Sequence, residues 1–266
     1  MGGGAAQYVL LSCSPKKLLV VELMKRNTLS LLVLFHLVLN VSAICGVNIT
    51  ANTTLTDDLI CDGTGIRIGA ANVTLDCNGH TIRYNLSNQQ LFGVYIELYD
   101  NIVVKNCVIS EYEYGIFSFD EYEIGQHSDN DTLINNTIFN TKWGIVLSGS
   151  DNNLINNTII NNTGGISLSG SADILINNNL TNASILVEGD VSNANSHIID
   201  TTNIVNGRPI FYLKNIIDST VPNGAGQIVL ANGTNITIQN QTISNVLYGI
   251  RIISCRGCLL QNKAHR

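Results

Sequence analysis

Charge is scarce in this chain. Asp, Glu, Lys and Arg make up 13% of its 266 residues, about half the ~25% usual for soluble domains. Asn, Thr and Ser must therefore cover surface that Lys and Glu normally cover. A net charge of −6 with scattered Lys and Arg leaves no basic stripe for phosphates, which argues against nucleic-acid partners. Methionine is nearly missing, with only Met1 and Met24 present. Helical periodicity is missing too: apolar runs of four to seven residues are too short for helices.

One longer apolar run exists, the 13 residues from Leu29 to Val41. Met24-Lys25-Arg26-Asn27 precedes it as a basic segment, and Val41-Ser42-Ala43 supplies small residues at a cleavage point. Residues 1–43 are thus expected to be an extension plus signal peptide, with Met24 as initiator. Export to the periplasm, cell surface or exterior follows, with no membrane span after cleavage. An uncleaved anchor is the alternative, for which the run is short and carries His36 and Asn40.

Six cysteines follow the leader: Cys45, Cys61, Cys77, Cys107, Cys255 and Cys258. In an exported protein they permit disulfides. Cys45 and Cys61 flank the start of the repeats and are the first choice for a staple. Cys255 and Cys258 have the spacing of a zinc half-site without a second CxxC to complete it. They bracket a turn, as a turn disulfide or as two free thiols.

What the chain has in quantity is repetition. Ile102 to Asn106, Thr132 to Asn136, Asn153 to Asn157, Ile174 to Asn178 and Ile236 to Asn240 align, each ending in Asn, at separations of 30, 21, 21 and 62 residues. Units of about 21 residues mark a solenoid. The fold expected is all-β, a right-handed parallel β-helix of about nine rungs, with residues 44–64 as cap and 65–266 as helix. Columns through Ile155 (Leu75, Val104, Ile134, Ile176, Ile198, Ile217, Ile238, Leu260), Ile145 (Val94, Ile116, Ile166, Ile250) and Leu147 (Ile96, Leu168, Ile252) are expected to face inward. Asn106, Asn136, Asn157, Asn178, Asn240 and Asn262 are expected to form an amide ladder. Repeats run to Asn262 without a capping segment. This predicts a stack open at its C-terminal end, either from a truncated reading frame or as a place for end-on association with another chain.

Val73-Thr-Leu-Asp-Cys-Asn-Gly-His-Thr-Ile82 resembles the first rung of parallel β-helix repeat proteins in the pectate-lyase-like superfamily. Asn203 to Leu213, followed by Gly226 to Leu230, is similar to their NosD-type branch, periplasmic β-helix proteins tied to copper-enzyme maturation. The resemblance implies the fold more than an activity, because such proteins include lyases, hydrolases, epimerases, binding modules and surface-layer components. Copper is not supported by the donors: both Met residues lie in the leader, and His80, His127, His197 and His265 are not at ligand spacing. No cofactor, no metal and no catalytic constellation are expected.

The longest unit, around Glu111 to Gly125, predicts a projecting loop, and function in solenoids sits on such insertions. Register sets Tyr95, Glu97, Phe117 and Phe119 outward on adjacent rungs beside Asp120, Glu121 and Glu123. Aromatics among carboxylates suit glycan binding. The alternatives are a loop folded over the rings as a satellite core and calcium on the loop carboxylates. Phe92, Tyr114 and Trp143 are expected to stack inside. A polysaccharide lyase or hydrolase is the rival class, with Glu97 and Asp120 or Glu121 as its acid and base. Asn-x-Ser/Thr sequons such as Asn135 and Asn156 are either glycosylation sites of a surface protein or, the favoured reading, a product of Asn-Thr-rich composition.

Overall fold

The computed structural model describes residues 39–41, 45–85, 91–119, 128–261 and 264–265. The expected leader lies outside them, except that Leu39–Val41 forms an edge strand paired in parallel with Thr53–Leu55.

Strands of three to six residues come in threes, as in Trp143–Leu147, Asn153–Ile155 and Thr158–Ile160, before the next turn of the coil begins at Gly164–Leu168. Each pairs in parallel with its equivalent about 21 residues on. The three positions build an eight-, a ten- and a seven-stranded sheet around one interior. This is a parallel β-helix, as the repeat predicts.

The corners explain the Asn content. Asn135, Asn156 and Asn177 have φ of 56°, 55° and 56°, a left-handed conformation that Asn tolerates better than other L-residues with a full side chain. The next residue, Asn136, Asn157 or Asn178, turns inward and is fully buried. Its Nδ2 donates to the Oδ1 of the next amide at 3.0, 3.0 and 2.9 Å, the last acceptor being Asn203. The same Nδ2 donates to Val104, Leu133 and Leu154 carbonyls at 2.8–2.9 Å. A buried amide is costly alone but satisfied in such a row.

The ladder holds Asn136, Asn157 and Asn178, and its other expected members differ. Asn106 (φ 55°) and Asn240 (φ 52°) are left-handed corner residues, while Asn262 lies outside the described residues. Cys107 takes the inward place: its N–H donates to Asn136 Oδ1 at 3.1 Å, and it is disulfide-bonded to Cys77 on the preceding coil. Alignment on the terminal Asn therefore slipped by one residue between the units at Val104 and Ile134.

That slip inverts a face, because side chains alternate with a period of two. Ile134, Ile155 and Ile176 point outward and are half-buried; Leu133, Leu154 and Leu175, in register with Leu75 and Val104, fill the interior at 0% exposure. Likewise Ile199 is buried, and Ile198 is 54% exposed. The sequence offers adjacent Leu-Ile pairs, and only the corner geometry decides between them. The columns through Ile145 and Leu147 are interior over Val94, Ile116, Ile166, Ile96 and Leu168. Ile250 is half-buried and Ile252 is 36% exposed, for both belong to a different part of the fold.

The single expected column ends at a hairpin. Asn206 (φ 50°) and Gly207 (φ 74°) turn the chain so that Arg208–Lys214 runs antiparallel to Ile204–Val205, where the rest of the ten-stranded sheet is parallel. Paired left-handed residues suit such a two-residue turn. Beyond it, Gln227–Thr234 and Ile250–Arg256 continue the sheet in the new direction. Strand Gln227–Thr234 is a shared wall: Val229 and Ala231 join the first core, and Ile228 and Leu230 join a second with Ile236 and Ile238. Ile217 is 63% exposed and Leu260 only partly buried, so neither is an anchor of the first column.

The first coil stack is closed where it meets this second part. Gln227, fully buried, donates Nε2 to Ile185 O at 2.6 Å and accepts from Ile185 N at 2.9 Å. Its side-chain amide thereby takes the role of a next rung. A short helix, Val191–Ser196, N-capped by Asp190, buries Ala194 beside it.

Candidate functional site

A column of glycines shapes the outer face of the seven-stranded sheet. A Cβ on Gly93 would lie 2.6 Å from Gly115 O, and one on Gly115 would lie 2.5 Å from Gly144 O. Gly93 and Val94 are both buried, so strict alternation fails there and Phe92 and Tyr95 come to the same outer side. Phe92, Tyr114 and Trp143 are accordingly half-buried on the outside, not stacked in the core as expected.

The result is an aromatic patch. Phe92 lies 4.8 Å from Tyr95, 5.5 Å from Tyr114 and 4.9 Å from Phe117, ring centroid to centroid. Tyr95 and Phe117 are in register at 6.1 Å, and Tyr114 meets Phe117 edge-on at 5.0 Å. Arg67, one coil earlier in the same column, holds its guanidinium 5.1 Å from the Tyr95 centroid, a cation–π distance. Trp143 continues the column and lies across Gly164, where a Cβ would come within 2.2 Å of its ring. Sequence reasoning had Tyr95 and Phe117 but missed Phe92, Tyr114, Trp143 and Arg67; the recurrent Gly after each aromatic was the available signal.

Of the expected carboxylates, Glu97 is exposed at the rim, in register with Phe119. Asp120, Glu121 and Glu123 and the Phe119 side chain lie outside the described residues. The rim also carries an ion pair, Lys142 Nζ to Glu113 Oε1 at 2.6 Å, which raises the lysine pKa.

A second polar row runs through the interior, and no motif announced it. Ile102 N donates to Asp131 Oδ1, Asp131 N to Asn152 Oδ1, Asn152 N to Asp173 Oδ1 and Asp173 N to His197 Nδ1, at 2.8–3.2 Å. Asp131, Asn152, Asp173 and His197 are fully buried. Burial pushes the Asp131 carboxyl up to about 8, against the opposing bonds from Ile102 N and Ser128 Oγ. Sealed from solvent inside the stack, this row is structural and has no access to a substrate.

Residues 39–206 match the model of one family, described as periplasmic copper-binding protein (NosD). The chain belongs to the NosD family. NosD proteins are periplasmic β-helix proteins, and the matched segment ends at the Asn206-Gly207 hairpin that closes the first coil stack. No curated protein and no solved structure matches. Among the described residues no helix is long and apolar enough to cross a membrane.

The family description raises the question of copper donors in this NosD chain. His80 Nδ1 lies 3.3 Å from Asp58 Oδ1, and His197 is sealed in the core against Asp173. The described residues contain no group of three or more His, Cys, Asp and Glu side chains able to hold a metal. The six cysteines among the described residues are paired, Cys45–Cys61, Cys77–Cys107 and Cys255–Cys258. In this oxidised state the donors do not fit copper, since a soft site needs free thiolate or thioether sulfur.

Proposed function

We propose that this NosD-family protein is a non-catalytic β-helix scaffold that holds glycan on the aromatic face formed by Arg67, Phe92, Tyr95, Tyr114, Phe117 and Trp143. The observation that carries the reading is the continuity of that face over four successive coils, on a rigid backbone. Flat rings present π-faces to the apolar side of a pyranose, and the rim groups Glu97 and Arg67 hydrogen-bond its hydroxyls. A site built on strands is held more firmly than one on loops.

Hydrolysis of a polysaccharide by the usual route would need two carboxylates facing each other across ~5–9.5 Å. Glu97 stands in register with Phe119, and the acids proposed to face it, Asp120 and Glu121, lie outside the described residues.

The chain has a single tryptophan, Trp143, which reports on the patch directly. Oligosaccharides drawn from envelope and uronic-acid polymers are expected to change its fluorescence saturably, and the F92A/Y114A double variant to lose that binding with circular dichroism unchanged. No binding by the parent on a glycan array, or equal binding by the variant, rules the assignment out.

A further inference from the structure

The fold sorts its corner asparagines into two kinds, and only one kind begins an Asn-x-Ser/Thr sequon. Two residues after a ladder Asn the side chain turns inward and is aliphatic. Ile138, Ile159 and Leu180 follow Asn136, Asn157 and Asn178 in this way and are fully buried. Two residues after a left-handed corner Asn the side chain points outward, as alternation along the strand requires. Thr74 and Thr158 stand at such places after Asn72 and Asn156.

Composition accounts for the number of sequons, but it does not decide which of their amides are free. Asn130 and Asn135 donate Nδ2 to Asn101 and Asn106 on the coil before. Asn182 donates to Asn161, Asn232 to Asn215, and Asn235 and Asn85 to the carboxylates of Asp218 and Asp62. Asn48 closes over Gly69, and Asn52 accepts from Thr74 N. Asn72 and Asn156 differ. Both are exposed, at φ of 61° and 55°, and their side chains make no hydrogen bond among the described residues. The hydroxyls of Thr74 and Thr158 are equally unengaged there. Asn179 is exposed as well, but it stands within the sheet between Thr158 and Ile204 of the neighbouring strands. Asn240 borders Asn262, which lies outside the described residues.

We propose that Asn72 and Asn156 are N-glycosylation sites, each taking an oligosaccharide from a lipid-linked diphosphate donor. In the transfer the Asn Nδ2 attacks C1 of the donor's first sugar. The bond from C1 to the phosphate oxygen breaks, and its electron pair leaves on the lipid diphosphate. The proton lost from Nδ2 passes to a base of the transferase. At these two corners the new Nδ2–C1 bond displaces no hydrogen bond of the fold, whereas at Asn130, Asn135 or Asn235 it would compete with one. Attached sugar would also hydrate a surface on which charge is scarce. Asn72 precedes strand Thr74–Asp76, and Asn156 lies between Asn153–Ile155 and Thr158–Ile160. Neither is on the aromatic sheet, and the assignment does not rest on the glycan-holding reading.

The test uses the full chain purified from the organism that encodes it. Mass spectrometry of its peptides is expected to find sugar on Asn72 and Asn156, and none on Asn130, Asn135 or Asn235. Thr74→Val and Thr158→Val each remove the sequon hydroxyl. Each is expected to abolish the modification at its own Asn, with the other site and the circular dichroism unchanged. Valine suits both places: Val103 is in register with Thr74, and Val108 with Thr137, itself in register with Thr158. Bare Asn72 or Asn156 in the natural protein, sugar that survives the Thr→Val changes, or equal occupancy at Asn130 and Asn135 overturns the proposal.

Discussion

At the residue scale, Asn serves two opposite purposes in neighbouring positions. Asn156 takes the left-handed corner and faces water, and Asn157 turns in and bonds along the stack. Replacing Asn157 by Ala strands Asn136 N and Nδ2 and the Leu133 carbonyl. A loss of roughly 2–4 kcal/mol in urea unfolding is expected, since unmade buried bonds carry their full desolvation cost. Asp131 gives a pH signature. Its folded pKa of about 8 lies above the 3.8 of an ordinary Asp carboxyl, so the folded state holds the proton longer than the unfolded chain. Stability from this group is full below about pH 4 and is lost as pH rises through 8. Asp131→Asn, which supplies the same acceptor to Ile102 N, is expected to flatten that decline and to stabilise the protein at pH 8. Parallel denaturation curves from pH 5 to 9 check it.

At the element scale, strand pairing continues only where something presents the next row of donors and acceptors. Gln227 does so for Ile185 with a side chain. Gln227→Leu keeps the volume but leaves both Ile185 groups unpaired, with an expected cost of about 2–3 kcal/mol. Faster hydrogen exchange confined first to Ile185–Val187 would identify the cause. This is also the scale at which sequence reading succeeds and fails. The 21-residue spacing and short β-rich runs made the solenoid legible, and Gly-aliphatic starts placed Val94, Ile116, Ile145 and Ile166 correctly but not Ile250. Facing could not be read from Leu154-Ile155 or Leu175-Ile176, where both neighbours are aliphatic and one residue of slip exchanges inside for outside. The aromatic patch was half legible for a related reason: Gly93 and Gly115 break the alternation on which Phe92 and Tyr114 were assigned inward. The buried row from Asp131 to His197 was not legible at all, because its places are filled by three different residue types, Asp, Asn and His, which have only a place in the coil in common.

For the whole molecule, the hairpin after Val205 matters most. It turns one continuous repeat pattern into two cores with Gln227–Thr234 between them. Opposite sides of that strand should report on different cores. Leu230→Asp is expected to melt the second core while amides of residues 132–181 remain protected from exchange. Val229→Asp, aimed at the first, is expected to expose both. Equal protection patterns in the two variants would show that the wall does not divide the fold in this way.

Cys77 and Cys107 join consecutive coils covalently, at a sequence separation of 30. If such a protein were stretched from its ends, coils would unwind one after another, but this loop would be unable to lengthen. At ~3.5 Å per extended residue, roughly 100 Å of contour would be withheld until a reductant cut the link. The early coils would act as a rip-stop in a fabric that otherwise runs.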